Sequence, residues 1–172
     1  VRKAIEAMLP GMSNPRIKLS PLRFVVSVQS DDGKLEEELS IDQLSGGYRI
    51  MLALAADLAR RMAQGNPHLP DPLQSEAVVL IDEIELHLHP SWQQRILADL
   101  TRTFPNTQFI VSTHSPQVLT TVKPEHVVEL GREQGDIVAG SAGAPTYGAE
   151  AGDMLAAVMG WRSGRQGKAT RL

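Results

Sequence analysis

An α/β fold, with a mainly parallel sheet flanked by helices and a β-hairpin near the N-terminus, is what this sequence predicts. Three observations carry it. Ala77 to Ile81 is an unbroken apolar run of strand length, the pattern of a strand buried on both faces of a parallel sheet. Gln108 to Ser112 is a second strand, reached through Ser91 to Thr103, which has the length of a helix. A short helix after Pro116 and a strand near Val127 to Leu130 continue the alternation, and alternating strands and helices make a layered α/β domain.

The remaining elements follow in chain order. Lys3 to Leu9 reads as a helix closed by Pro10-Gly11, and prolines punctuate the segment behind it, so residues 1–21 read as a helix and linker. Leu22 to Gln29 alternates with β-branched residues as a strand does, Asp32-Gly33 is a hairpin turn signal, and Leu35 to Ile41 is the returning strand. Leu44 to Gly47 interrupts the chain and opens a long helix ending near Gln64, with Met51, Leu54, Ala55, Leu58 and Met62 on one face and Gly65 as its stop. Asn66 to Ser75 holds three prolines and reads as a surface loop. Gly131 to Tyr147 is rich in Gly and Ala and carries no periodicity, while Ala151 to Met159 reads as a last helix.

Composition narrows the function classes. With 172 residues, 42% hydrophobic and 22% charged, the chain has one domain's worth of sequence and ordinary globular chemistry. A formal net charge of −3 gives no overall footprint for nucleic acid; only Arg162, Arg165, Lys168 and Arg171 in the tail leave nucleic acid open as a partner. No cysteine is present, which excludes disulfides and thiolate metal sites and suits a reducing cytoplasm. No apolar run reaches membrane-spanning length, so no membrane is expected.

Three constellations carry chemistry. Leu44-Ser45-Gly46-Gly47-Tyr48 stands directly before the long helix. Glycines permit close backbone approach, Ser45 offers a hydroxyl, and a helix N-terminus presents N–H groups to an anion. The competing reading is a serine cap with a glycine turn. Asp82-Glu83 ends the Ala77–Ile81 run, at the strand edge where parallel α/β sheets place ligands. There Asp82 suits Mg²⁺ held through water and Glu83 suits orienting or deprotonating a water; alternatively the two acids mark only where a buried strand meets solvent. In Ser112-Thr113-His114-Ser115-Pro116, His114 closes the next strand, able to sense a phosphate oxygen or serving as a structural histidine. A metal site built from His87, His89, Glu83 and Glu85 is a further option, although the helical i, i+4 histidine pair of a metalloprotease is absent.

Taken in order and spacing, these segments resemble the second half of ABC-type ATPase heads, which are P-loop NTPases. Leu44 to Tyr48 is similar to the family's signature motif, Ile81-Asp82-Glu83 to its Walker B with catalytic glutamate, and His114 to its switch histidine. Glu83 to Pro90 resembles the version in RecF-, SMC- and overcoming-lysogenization-type ATPases, where Glu85, His87 and His89 fall in the D-loop. The run from Ile81 to Leu119 looks closest to bacterial ATP-binding proteins that include Septu- and retron-associated phage-defence ATPases. Ile84-Glu85 and His89 replace the Pro-Thr and the D-loop aspartate of transporter subunits, and Tyr48 replaces their usual glutamine.

The resemblance covers residues 22–130, which would form the head's C-terminal lobe; 131–172 would be a Gly-rich segment, short helix and basic tail. It implies ATP and Mg²⁺ as ligands and a homodimer of heads sandwiching the nucleotide. Asp82 would serve the metal, Glu83 and His114 the chemistry, and Ser45, Gly46, Gly47 and Tyr48 would act in trans. Glu85, His87 and His89 would lie at the interface. The motif G-x-x-x-x-G-K-[ST] occurs nowhere, and Gly164 to Thr170 only mimics it, with glycines too close and Ala169 in place of Ser or Thr. Because the chain opens on Val1 and lacks this loop, it is expected to be cut from a longer protein or to be half of a split head. The chain alone would then bind ATP and Mg²⁺ weakly and be inactive. An effector such as a nuclease, in phage defence or a DNA-related process, and a non-catalytic lobe docking on a partner head both remain open.

Overall fold

The computed structural model describes residues 1–29, 36–133, 136–141 and 145–153. Contacts divide the chain into two units, Val1–Ser112 and Thr113–Leu172.

The first unit runs α1 (Arg2–Met8), β1 (Met12–Leu19), β2 (Leu22–Gln29), β3 (Glu36–Ser40), α2 (Gly46–Gly65), β4 (Ala77–Ile81), α3 (Pro90–Gln93), α4 (Ile96–Thr103) and β5 (Thr107–Val111). β1 is a strand where a linker was expected. It pairs antiparallel with β2, from Met12↔Val28 to Leu19↔Leu22, with an irregularity between Ser13 and Arg16. That irregularity holds Pro15 and Asn14, whose φ is 50°, so the proline sits where the ladder needs no N–H. The turn to β2 is Ser20-Pro21, with a cis peptide. β2 pairs antiparallel with β3 from Val25↔Ser40 to Gln29↔Glu36. This is the predicted hairpin; its turn residues, Asp32 and Gly33, lie outside the described residues. Glu38 on β3 pairs with Arg16 and Lys18 on β1, reaching across β2. The Lys18 hydrogen bond, helped by the positive charges of Lys18, Arg16 and Arg23, holds the Glu38 carboxyl below its usual range.

The core of this unit is mainly helical, with Val25 and Val26 of β2 buried as well. Ala4, Ile5 and Met8 of α1 are buried with Met51, Leu52, Ala55, Leu58, Ala59 and Met62 of α2, and with Ile96 and Leu100 of α4. α1 packs on both α2 and α4. The buried stripe of α2 is rotated from the predicted one: Leu52 and Ala59 join it, while Leu54 is only half-buried. The single helix expected over Ser91 to Thr103 is broken at Gln94-Arg95 into α3 and α4. Arg95 leaves helical geometry, with φ −122°, and its guanidinium donates to Asp99 at 2.8 Å.

β4 and β5 pair in parallel, from Ala77↔Thr107 to Ile81↔Val111. The expected burial on both faces is not what this chain shows. Val78 is 58% exposed, Leu80 74% and Ile110 51%. Side chains alternate along a strand, so one apolar face of this pair meets solvent, while Ala77, Val79 and Ile81 are half-buried.

The second unit holds α5 (Pro116–Leu119), β6 (Val128–Glu133) and β7 (Asp136–Ser141). β6 overlaps the predicted strand from Val128 onward, and it pairs antiparallel with β7, from Val128↔Ser141 to Glu133↔Asp136, in the Gly- and Ala-rich stretch that carries no periodicity. Residues 151–153 are helical; the rest of the expected last helix and the basic tail lie outside the described residues. Among the described residues, no helix is long and apolar enough to cross a membrane.

Candidate functional site

Asp82 and Glu83 follow directly on β4, and both are exposed. Ser112, the residue after β5, is bonded to four consecutive positions around them. Its N–H donates to Ile81 O at 3.0 Å, and its carbonyl accepts from Ile84 N–H at 3.1 Å. Its hydroxyl accepts from Glu83 N–H at 2.8 Å and donates to Asp82 Oδ1. Glu83 adopts φ 48°, a left-handed conformation that costs a non-glycine residue about 1–2 kcal/mol. The turn into that conformation redirects the chain immediately after the strand. Ile84 and Leu88 are buried and anchor the loop, and Leu86 N–H and Leu88 N–H close turns on Glu83 O and Glu85 O, each at 2.9 Å. His87 is also left-handed, with φ 62°.

The loop ends at His89, which caps α3: its Nδ1 accepts from Ser91 N–H at 3.3 Å and lies 2.9 Å from Ser91 Oγ. One ring nitrogen of His89 is therefore engaged with Ser91. Among the described residues, no three His, Asp or Glu side chains gather as a metal cluster would. A single exposed carboxylate, Asp82, with one oxygen on Ser112, suits a metal that keeps most of its ligands as water or phosphate oxygens.

Ser45 begins α2 in extended geometry, φ −62° and ψ 160°, and its side chain makes no capping hydrogen bond. The first helical bond is Arg49 N–H to Ser45 O at 3.0 Å, so the N–H groups of Gly46, Gly47 and Tyr48 precede it. The serine-cap reading thus holds for the backbone and fails for the hydroxyl. The fold does not impose either glycine. An added Cβ at Gly46 meets nothing within 4 Å, and at Gly47 it makes only ordinary contact with Trp92, 3.8 Å away.

Trp92 of α3 was not singled out by sequence reasoning. Its ring meets Tyr48 edge to face, with centroids 5.0 Å apart, and the Arg95 guanidinium lies 4.9 Å from the Trp92 centroid. The helix that follows the Asp82–Pro90 loop is therefore in contact with the N-terminus of α2. Ser112 was seen only as part of a strand end. Nothing in a linear sequence marks either partnership, because each depends on where two strands or two helices are brought together.

His114 belongs to the second unit and is exposed. Beside it, Ser115 N–H donates to Thr113 Oγ1 at 3.0 Å, and the Ser115 hydroxyl caps α5 by accepting from Gln117 N–H and Val118 N–H.

Residues 3–120, which include all three constellations, match the protein family described as "AAA domain, putative AbiEii toxin, Type IV TA system". The chain belongs to that family. Among its relatives, the "Retron Ec83 probable ATPase" of Escherichia coli is 47% identical over 127 residues, 74% of this chain and 22% of the relative. The "Retron Vc95 probable ATPase" of Vibrio cholerae serotype O1 biovar El Tor is 48% identical over 127 residues, 74% of this chain and 24% of the relative. The Septu protein PtuA of Bacillus mycoides (strain KBAB4) is 41% identical over 76 residues, 44% of this chain and 10% of the relative. This AAA-domain chain thus spans about a quarter of the length of the retron relatives. Its fold is that of SMC heads. A chain from work on ATP-driven dimerization and DNA-stimulated activation of SMC ATPases superposes with TM-score 0.57 at 19% identity, covering 81% of this chain and 79% of that one. The SMC head domain from Thermotoga maritima gives 0.56 at 19% identity, covering 83% and 46%. The expected fold, a P-loop NTPase-like α/β fold with an N-terminal antiparallel hairpin, holds.

Proposed function

We propose that this chain is the signature, Walker B and switch-histidine lobe, residues 22–130, of an ATP-hydrolysing head that works as a nucleotide-sandwich dimer. The observation that carries the reading is the exposed Asp82–Glu83 pair, held by Ser112 at the C-terminal edge of a parallel strand pair. That edge is where α/β sheets bind ligands.

When bound, Mg²⁺ would neutralise charge on the phosphates, and Asp82 is the residue that would hold it, mostly through water. Glu83 orients or deprotonates the attacking water, and His114 hydrogen-bonds the terminal phosphate of ATP. Ser45, Gly46, Gly47 and Tyr48 act in trans on ATP held by a second head. The glycines support this, since the chain's own packing does not call for them. Glu85, His87 and His89 form the D-loop at the dimer interface. A Walker A-bearing lobe must accompany these residues, because the motif is absent from the 172 present. In this reading the process is phage defence, an association that the retron and Septu names of the relatives support, and the head acts in the cytoplasm with a nuclease or other effector as partner.

A second reading is a non-catalytic lobe that docks on a partner head. The retained Glu83 weighs against it, since a purely trans-acting lobe needs no catalytic carboxylate.

The test uses a complete head, with a Walker A-bearing lobe accompanying residues 1–172. Glu83→Gln is expected to lower turnover about 100-fold or more while ATP still binds. Ser45→Arg is expected to block nucleotide-driven dimerisation, read by light scattering, far more than nucleotide binding. Unchanged turnover in Glu83→Gln overturns the catalytic reading. Equal loss of binding and dimerisation in Ser45→Arg overturns the sandwich.

A further inference from the structure

We propose that Ser112 is the positioning residue of the acidic pair, the group that sets the direction of both Asp82 and Glu83. The inference rests on the role given to Glu83 above. Residues just past the end of a strand are ordinarily free to turn as solvent allows. Here Ile81, Asp82, Glu83 and Ile84 are each bonded to Ser112, two through its main chain and two through its hydroxyl. The main-chain bonds extend the β4–β5 ladder by one step and would form with any residue at 112. The two hydroxyl bonds are the ones that serine adds.

Those two bonds act on two carboxylate-bearing residues in different ways. The Ser112 hydroxyl accepts from Glu83 N–H, which fixes the peptide leading into the left-handed turn at φ 48°. It donates to Asp82 Oδ1, which leaves the second Asp82 oxygen as the acceptor for a cation. A hydroxyl is the smallest side-chain group able to do both at once. Ser112 is exposed, so burial does not select a small residue there, and an apolar strand residue would fit the run of Phe109, Ile110 and Val111 equally well. Two residues further along the chain stands His114, so the strand that carries the sequence to the switch histidine also sets the acidic pair.

The experiment replaces Ser112 in a complete head with alanine, which removes the hydroxyl, and with threonine, which keeps it. Amide hydrogen exchange at single-residue resolution is the readout independent of catalysis. In Ser112→Ala the Glu83 amide is expected to exchange about five- to tenfold faster, the size expected for one lost hydrogen bond. The Ile84 amide, bonded to the main chain, keeps its rate. In the same variant kcat falls about tenfold or more while KM for ATP stays within about twofold, as expected when geometry and not binding is lost. Ser112→Thr restores both. If Ser112→Ala does not fold, Ser112→Cys, which keeps the size and weakens the hydrogen bonds, must show the same pattern in smaller degree. Unchanged Glu83 exchange, or equal kinetic loss in the alanine and threonine variants, overturns the proposal. Glu83→Gln separates the two layers. If that variant retains turnover, the role of Glu83 falls, while the exchange data still judge the clasp.

Discussion

Replacing Trp92 with alanine tests whether α3 buttresses the start of α2, and its cost can be worked from the geometry. The edge-to-face pair with Tyr48, at 5.0 Å, is worth about 0.5–1.5 kcal/mol beyond area burial. The Arg95 guanidinium over the indole, at 4.9 Å, adds about 0.5–1 kcal/mol at a partly exposed site. Trp92 is half-buried, so loss of its apolar contacts stays below the roughly 3–5 kcal/mol of a core aromatic deletion. Together these give about 2–3 kcal/mol, or roughly 5–10 °C in Tm for a domain of this size. Circular dichroism melts of Trp92→Ala, Tyr48→Ala and the double variant close a mutant cycle. The coupling is expected at about 0.5–1.5 kcal/mol. A coupling within about 0.3 kcal/mol of zero means that the rings are merely adjacent, and the buttress argument is then wrong.

Two further outcomes are expected. Glu38, depressed by the Lys18 hydrogen bond, contributes stability that is present in full above its unfolded pKa and is lost as pH falls through its lower folded value. Urea midpoints of the native chain and Glu38→Gln should therefore differ at neutral pH and converge below about pH 4, and parallel curves contradict the assignment. Leu80→Ser, at a position 74% exposed here, should change the stability of the 172-residue chain by no more than about 0.5 kcal/mol. In a complete head, where the accompanying lobe of the proposed function is expected to cover this face, it should cost about 2 kcal/mol or more, and equal effects in the two settings contradict that cover.

Local signals made much of this molecule legible. The helix beginning at Gly46, the hairpin strands, β4, β5 and the start near Pro116 all follow from periodicity, turn residues and proline placement. β1 was hidden because Pro15 and Asn14 read as linker chemistry, whereas they occupy an irregularity in the ladder that strands tolerate. β7 was hidden because Ile137, Val138 and Ala139 are too few apolar residues among glycines to show a period. The apolar run of β4 predicts a strand buried on both faces, and the strand is there, but burial is a property of neighbours and not of the run itself. Ser45, Asp82, Glu83 and His114 could be named from motif order. Ser112 and Trp92 could not, because a serine at a strand end and a tryptophan after Pro90 gain meaning only through Glu83 and Tyr48, which the fold brings to them.

The candidate residues divide by what the chain itself requires of them. Asp82 and Glu83 are fixed from within: Ser112 holds both, and the left-handed turn at Glu83 persists because the bonds around it outweigh its cost. Ser45, Gly46 and Gly47 are the reverse. The hydroxyl caps nothing, and both glycines have room for a Cβ in a helix where alanine would be preferred. Residues that packing does not explain are the ones to assign to a ligand or partner arriving from outside, whereas residues restrained against their own conformational preference act where they stand. That division matches a head in which Asp82 and Glu83 work on nucleotide held in cis while the turn at Ser45 closes on nucleotide held by another copy. It also makes the two halves separable by mutation: Ser112 variants should impair turnover and spare dimerisation, whereas Ser45 variants should impair dimerisation, and turnover with it, while sparing nucleotide binding.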